Sequence, residues 1–373
     1  MRLRLALASG AIALIGLAGC DDFRTKPAAN APPVAAPAPP PAVAAVPPPS
    51  PTPPPAALAP ASTSPAAQAI DNARFVPGAP PTPAVLIRAE TILDRAHFSP
   101  GQIDGRAGSN LSRALAAFEA AHGLTPAGPA ADTTLGPAAW KALLAVDPGP
   151  VTADYVITVD DEKGPFIGRL PAKMPDQARL AHLGYTTPLQ ELAERFHMSQ
   201  ALLKALNPGA NFAAAGTRLV AVQPGDTPLP PVAKIEVDKS NDEVRAYDAA
   251  GALVGFFPAT VGSTERPAPS GTWAVKSVVR HPDYTYDPRR LTFGPKSKGV
   301  FTIKPGPNNP VGSIWIDLTY PTYGIHGAPD PSLIGKTASH GCVRLTNWDA
   351  NLLGDAVAKG TPVVFLGAAR PKA

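Results

Sequence analysis

The sequence predicts a multidomain chain. A mainly β C-terminal domain, sandwich or barrel in type, follows small α and α/β units and a disordered Pro/Ala-rich tether. Three observations predict this. The 373 residues suffice for two or three domains, and 45% are hydrophobic, enough for real cores. The 49 prolines are uneven, with about two-fifths between Pro27 and Pro83, so one abnormal segment stands apart from chain that can fold. Beyond it the apolar spacing is helical at first and alternates like strands after Pro231.

The elements follow in order. Arg2 and Arg4 form a positive region, and residues 5–17 are an apolar run too short for a good membrane span. Leu17-Ala18-Gly19-Cys20 resembles the lipobox of bacterial lipoproteins. That resemblance implies a signal peptide over residues 1–19, a lipid on Cys20, and a periplasmic protein anchored to a membrane of the envelope. The formal charge of +4 is too small a bias for nucleic acid, and no motif that reads RNA or DNA occurs. Only Cys20 and Cys342 are cysteines, so a lipidated Cys20 leaves Cys342 with no second cysteine to bond.

Residues 20–83 are Ala/Pro-rich with almost no aromatics, which reads as a disordered, partly polyproline-like tether. At about 3.1 Å per residue it reaches on the order of 180 Å when extended. Residues 84–150 turn helical: Leu86, Ala89, Leu93 and Ala96 share one face, and Ala114, Leu115 and Phe118 share another. Pro100-Gly101-Gln102-Ile103-Asp104-Gly105 is a loop, and Asp132-Thr133-Thr134-Leu135-Gly136 leads into a helix with Trp140 and Leu144. This order resembles the helical peptidoglycan-binding domain. Residues 151–230 read as a strand at 155–159, a helix with Leu189, Leu192 and Phe196, a second helix capped by Ser199, and a strand at 217–222. The order resembles a LysM module, with an insertion over about residues 160–185.

Residues 231–368 are read as strands around Ile235, Val244, 253–261, 272–279, 301–303, 313–318 and 323–326. A helix over 348–358 starts at a capping box, Thr346-x-x-Asp349, and stops at Gly360, and Pro362 begins a last strand. Many short strands with one late helix give the sandwich or barrel. Residues 281–298, with Tyr284, Tyr286 and Phe293, are read as a lid or a surface loop.

The chemistry is concentrated in Ile325-His326-Gly327 and Ser339-His340-Gly341-Cys342-Val343-Arg344-Leu345. A thiol attacks as the thiolate, and with a pKa near ~8.5 it needs a neighbouring base or cation. His326 can take the proton and hold the thiolate as an imidazolium. Backbone N–H groups around Gly341 and Cys342 can serve an oxyanion. His340 alone is read equally as structural or catalytic. Arg344 either holds a substrate carboxylate or ties down its loop, and Ser339 orients the loop. A zinc site of His326, His340 and Cys342 is the competing use, but no Cys-x-x-Cys or His-x-x-x-His pair supports it. No metal or other cofactor is expected.

These two motifs, 16 positions apart from His326 to Cys342, resemble the signature of L,D-transpeptidases. Gly262, Pro269-Ser270-Gly271-Thr272 and Gly306-Pro307-Asn308-Asn309-Pro310-Val311-Gly312 are similar to that family too. The resemblance covers about residues 233–367. It implies Cys342 as nucleophile, His326 as proton donor and acceptor, and His340, Ser339 and Gly341 as shaping the site. Arg344, Tyr323 and Gly327 are the expected substrate contacts. It also implies a tetrapeptide stem of peptidoglycan as acyl donor. The acceptor is an amine, of another stem (a 3→3 cross-link) or of an outer-membrane protein. The alternative is a wall-binding anchor lipoprotein with an inactive or weakly active catalytic domain.

Overall fold

The computed structural model describes residues 62–125, 134–262, 267–289, 299–337 and 341–368. The signal peptide, Cys20, most of the tether, Asp132, Thr133, Phe293, Ser339 and His340 lie outside the described residues.

Structure begins earlier than composition suggests. Helix α1 (Pro65–Asp71) falls inside the stretch read as tether. Ser64 caps it by accepting from Ala67 N, Pro65 opens it, and Ala67 and Ile70 are buried. Asp71 accepts from the N–H groups of Val151 and Thr152. The reading failed because proline in a first turn followed by alanine suits a capped helix as well as a linker.

Helices α2 (Pro83–Arg95), α3 (Ser109–Ala121) and α4 (Pro137–Val146) follow. Their apolar faces point inward as expected: Leu86, Ala89, Leu93, Ala114, Leu115, Phe118 and Trp140 are all buried. Next, β1 (Thr152–Val156) pairs antiparallel with β2 (Arg218–Val222). Between them lie α5 (Val159–Lys163), α6 (Met174–Gln177), α7 (Pro188–Arg195) and α8 (Gln200–Leu206). The strand, helix, helix, strand order stands, with α5 and α6 in the insertion. One boundary is corrected: the first strand ends at Val156, because Thr158 and Asp161 form a reciprocal capping box that starts α5. Ser199 caps α8, accepting from Leu202 N at 3.1 Å.

In the C-terminal part, β3 (Lys234–Asp238), β4 (Glu243–Tyr247) and β5 (Leu253–Pro258) pair antiparallel as consecutive hairpins. The alternation over 253–261 reads as one strand, but the chain breaks at Ala259, whose N–H donates to Asp242 O. The next two residues form β6 (Thr260–Val261). There follow β7 (Gly271–Arg280), β8 (Tyr284–Tyr286), β9 (Phe301–Ile303), β10 (Ile314–Leu318), β11 (Gly324–His326), β12 (Val343–Arg344), α9 (Asn347–Ala356) and β13 (Pro362–Leu366). One sheet runs β5-β4-β3-β13-β7-β10-β11-β12-β6. Its two outermost strands, β5 and β6, are separated by a single residue in sequence, so the sheet curls until it nearly closes into a barrel.

The stretch read as a lid contributes β8, which pairs with β9 as a separate two-stranded arm. Tyr286 is buried in it, stacked on Phe301 at 4.9 Å. Helix α9 ends at Ala356, ahead of Gly360, and only half of its capping box forms. Thr346 accepts from Asp349 N, while the Asp349 carboxyl takes the Ser99 hydroxyl at 2.9 Å. The units share a core: Phe256 of β5 falls in one buried cluster with Phe98, Phe118, Leu192 and Phe196. All described residues fall in one compact unit. Among them no helix is long and apolar enough to cross a membrane.

Candidate active site

Strand β11 is held on both sides. It pairs antiparallel with β10, Trp315 opposite His326, and parallel with β12, Ile325 opposite Val343 and His326 opposite Arg344. Alternate side chains of a strand point to opposite faces. Ile325 and Val343 are both fully buried in the core. His326 and Arg344 therefore share the other face, and Cys342 stands one residue before β12. A topology in which β12 follows β11 in parallel thus joins the two sequence motifs.

His326 is 3% exposed and its ring stacks on Trp315, centroids 5.4 Å apart. Its Nδ1 lies 2.6 Å from Gly327 O. A carbonyl can only accept, so Nδ1 carries the proton and Nε2 keeps a lone pair. Burial, then the Arg344 guanidinium, pushes the ring down to about 3, against the opposite pull of the Gly327 and Val311 backbone. These surroundings favour the neutral imidazole, which leaves Nε2 as an acceptor. The cation beside the thiol is Arg344, whose pKa burial lowers and whose charge Cys342 and Tyr284 favour.

Cys342 is half-buried against the edge of the sheet core. Gly341 before it is buried and adopts φ 123°, which favours glycine. Tyr323, expected as a substrate contact, is instead 6% exposed and packs edge-on against Phe365 at 5.7 Å. Its hydroxyl has no hydrogen-bond partner among the described residues. Burial, then Cys342 and Tyr320, pushes the phenol well above its ordinary value. Gly327 is buried as well, pressed against Asn347: a β-carbon there would run into Asn347 Oδ1. Cys342, His326, Arg344, Tyr323, Gly327 and Gly341 are thus gathered at one edge of the sheet. Ser339 and His340 fall outside the described residues.

Sequence reasoning missed Trp315, Asn347 and Glu194. The only local signal for Asn347 is a polar residue directly after the Thr346 cap. Glu194 carries none, since it looks like the solvent side of α7. Its carboxyl is pushed up to about 7, chiefly by burial. A half-open cavity of about 450 Å³ lies beside the site, lined by Thr186, Gln190, Glu194, Asn308, Asp330 and Ser332 among others, but neither His326 nor Cys342 lines it. Among the described residues no group of three His, Cys, Asp or Glu side chains is placed to hold a metal ion.

Residues 233–365 match the family model of the L,D-transpeptidase catalytic domain, YkuD. The protein named L,D-transpeptidase YkuD of Bacillus licheniformis is 28% identical over 176 residues, 47% of this chain and 91% of that protein. The protein named L,D-transpeptidase ErfK/SrfK of Salmonella typhimurium is 30% identical over 191 residues, 48% of this chain but only 60% of that protein. The solved L,D-transpeptidase 3 of Mycobacterium tuberculosis is 18% identical, with a TM-score of 0.31, covering 41% of this chain and 75% of that one. The C-terminal domain is of the transferase class. Residues 233–365 are similar to the L,D-transpeptidase catalytic domain of the YkuD type.

Proposed function

We propose that this chain is a peptidoglycan L,D-transpeptidase in which Cys342 is the nucleophile and His326 its base. The observation that carries the reading is the His326 ring: buried, neutral, its Nδ1 proton on Gly327 O at 2.6 Å, on the strand parallel to the one Cys342 enters. Nε2 takes the thiol proton as Sγ attacks the carbonyl of the third stem residue. The tetrahedral oxyanion is met by backbone N–H groups near Gly341 and Cys342. His326 returns the proton to the amine of the departing D-Ala, leaving a thioester. An acceptor amine then attacks the thioester, passes a proton to His326, and restores the thiol. The acceptor is the side-chain amine of another stem or an amine of an outer-membrane protein.

Around this chemistry, residues 84–150 and 151–230 are proposed as peptidoglycan-binding-like and LysM-like units that engage the wall. Cys20 is proposed as the lipidated residue that anchors the chain in the periplasm, with residues 20–61 as tether. The reaction is tested by mixing the protein with a soluble tetrapeptide stem and weighing the intact chain. The expected product is a thioester adduct with loss of D-Ala, absent in Cys342→Ala. An adduct of equal yield on Cys342→Ala would refute the assignment.

A further inference from the structure

The sequence divides labour between wall-binding units and a self-sufficient catalytic domain. The contacts do not. Asn347, the first residue of α9, is 2% exposed and sits under the loops that carry the site. Its Oδ1 accepts from Ser313 N at 3.1 Å, and its Nδ2 donates to Pro307 O at 3.2 Å. The same Oδ1 occupies the space a β-carbon would need on Gly312 or Gly327. Gly327 is the residue whose carbonyl holds His326 Nδ1. The remaining contact of Asn347 Nδ2 comes from outside the catalytic domain, to Oε1 of Glu194 on α7 at 3.0 Å. That oxygen is itself fixed by the Tyr185 hydroxyl at 3.1 Å.

A second set of bonds ties the same loop to the same unit. Leu183 N donates to Pro305 O at 2.8 Å, and Asn308 N donates to Leu183 O at 2.9 Å. Asn308 Nδ2 donates to Gly184 O at 2.7 Å, and Gln190 Nε2 donates to Asn308 Oδ1 at 2.9 Å. The loop after β9 is therefore clamped along its length. Glu194 is the one group of the clamp that reaches past the loop to the residue touching Gly327.

We propose that Glu194 is a positioning residue for the catalytic histidine. It holds Asn347, Asn347 fixes Gly327, and the Gly327 carbonyl keeps the proton on Nδ1 so that Nε2 faces the thiol. The proposal rests on the reading of His326 as base given above. An imidazole whose Nδ1 acceptor drifts divides between its two tautomers, and only one of them is a base at Nε2.

The test uses the full chain labelled with ¹⁵N-histidine, in wild-type, Glu194→Met and Glu194→Gln forms. Methionine keeps the volume and removes the acceptor; glutamine keeps an acceptor oxygen and removes the charge. Two quantities are read: the His326 tautomer from long-range ¹H–¹⁵N spectra, and kcat and KM for acylation by a stem tetrapeptide. Glu194→Met is expected to give a mixture of tautomers and a kcat about tenfold lower with KM within twofold, the signature of a lost transition-state geometry. Glu194→Gln is expected to keep the Nδ1–H tautomer and stay within twofold of wild type. A wild-type tautomer and kcat in Glu194→Met would overturn the proposal. So would a Glu194→Gln variant as impaired as Glu194→Met. Failure of the underlying reading shows elsewhere: His326→Ala run in parallel would still acylate, while the tautomer spectra report on the clamp regardless.

Discussion

Two histidines of this molecule sit in matched packing and opposite electrostatics. His326 stacks on Trp315 with rings 25° apart, and His197 stacks on Trp348 with rings 11° apart. Both are mostly buried. Around His326 the nearest named charge is Arg344, and the ring is driven neutral. Around His197, Asp94 lies at 3.1 Å from Nδ1, with Asp349 and Glu194 behind it. There too burial opposes the charge, but the carboxylates outweigh it and raise the pKa above the ordinary value. Burial and a tryptophan face thus do not decide what a histidine does; the sign of its neighbours does. At the sheet edge a proton acceptor results. At the seam between the units protonation is favoured, by Asp94 of α2 bonded to the ring and by Asp349 of α9.

Breaking each histidine should separate the two roles. His326→Ala is expected to slow acylation by about 10²–10⁴-fold, the usual range for a lost general base, with the melting transition retained. His197→Ala should leave acylation per folded molecule within a few-fold of wild type. Stem-peptide kinetics on both variants checks this, and a reversed ranking would move the base to the seam.

Stability should show the converse. His197→Ala removes the ring that favours charge on the neighbouring Asp94 and Asp349 carboxyls. With the ring 18% exposed, we expect a loss of about 2 kcal/mol in urea unfolding, below the range for a fully buried pair. A loss under about 0.5 kcal/mol would mean that stacking on Trp348, rather than charge, holds the seam.

Arg344→Gln sharpens the comparison from the other side. It removes the cation that disfavours protonation of His326 and favours a negative Cys342. Alkylation of Cys342 near neutral pH should slow by about tenfold as the uncharged thiol is favoured. His326 should become easier to protonate. If alkylation falls in His326→Ala and not in Arg344→Gln, the histidine rather than the guanidinium sets the thiolate.

The smallest effect is a pair of opposite pH slopes. The unfolded chain protonates His326 below about pH 6.5, whereas the folded chain refuses that proton until about 3. Burial of His326 therefore costs stability progressively as pH falls through that window. His197 has a raised pKa, so its contribution is full below about pH 6.5 and is lost as pH rises through the folded value. Melting temperatures of His326→Gln and His197→Gln against wild type should diverge by a few degrees, one in acid and the other as pH rises past about 6.5.

The sequence made most of this fold legible where the signal is local. Apolar periodicity located α2, α3, α7 and the hairpins from β3 to β5, and Ser199 and Thr346 announced their helices. What stayed hidden depends on distant chain. Nothing near Ala259 says that β6 leaves its neighbour to pair across the sheet with β12. The Thr158 cap was visible in principle, but a β-rich stretch before it masked the turn. At the site, the proposed thiol and base stand out because each lies in a short, unusual motif. Tyr323 was expected as a substrate contact, yet its ring is covered, since a tyrosine does not declare which face it covers. Glu194 could not be found, because its meaning comes from Asn347, more than a hundred positions away.

Strand β13 (Pro362–Leu366) lies mid-sheet, parallel to β3 and antiparallel to β7. In the strand order it stands between the β5-β4-β3 hairpins and the strands from β7 to β6. A ribosome delivers it after every other strand of the sheet. Until then the two halves expose strand edges at β3 and β7, each a template for pairing with a foreign chain. The preceding helical units mature earlier, so the nascent protein passes through a stage with a finished front and two open sheet fragments behind it. Closure is a single late event of long sequence separation, which slows folding and leaves this interval as the one most exposed to aggregation.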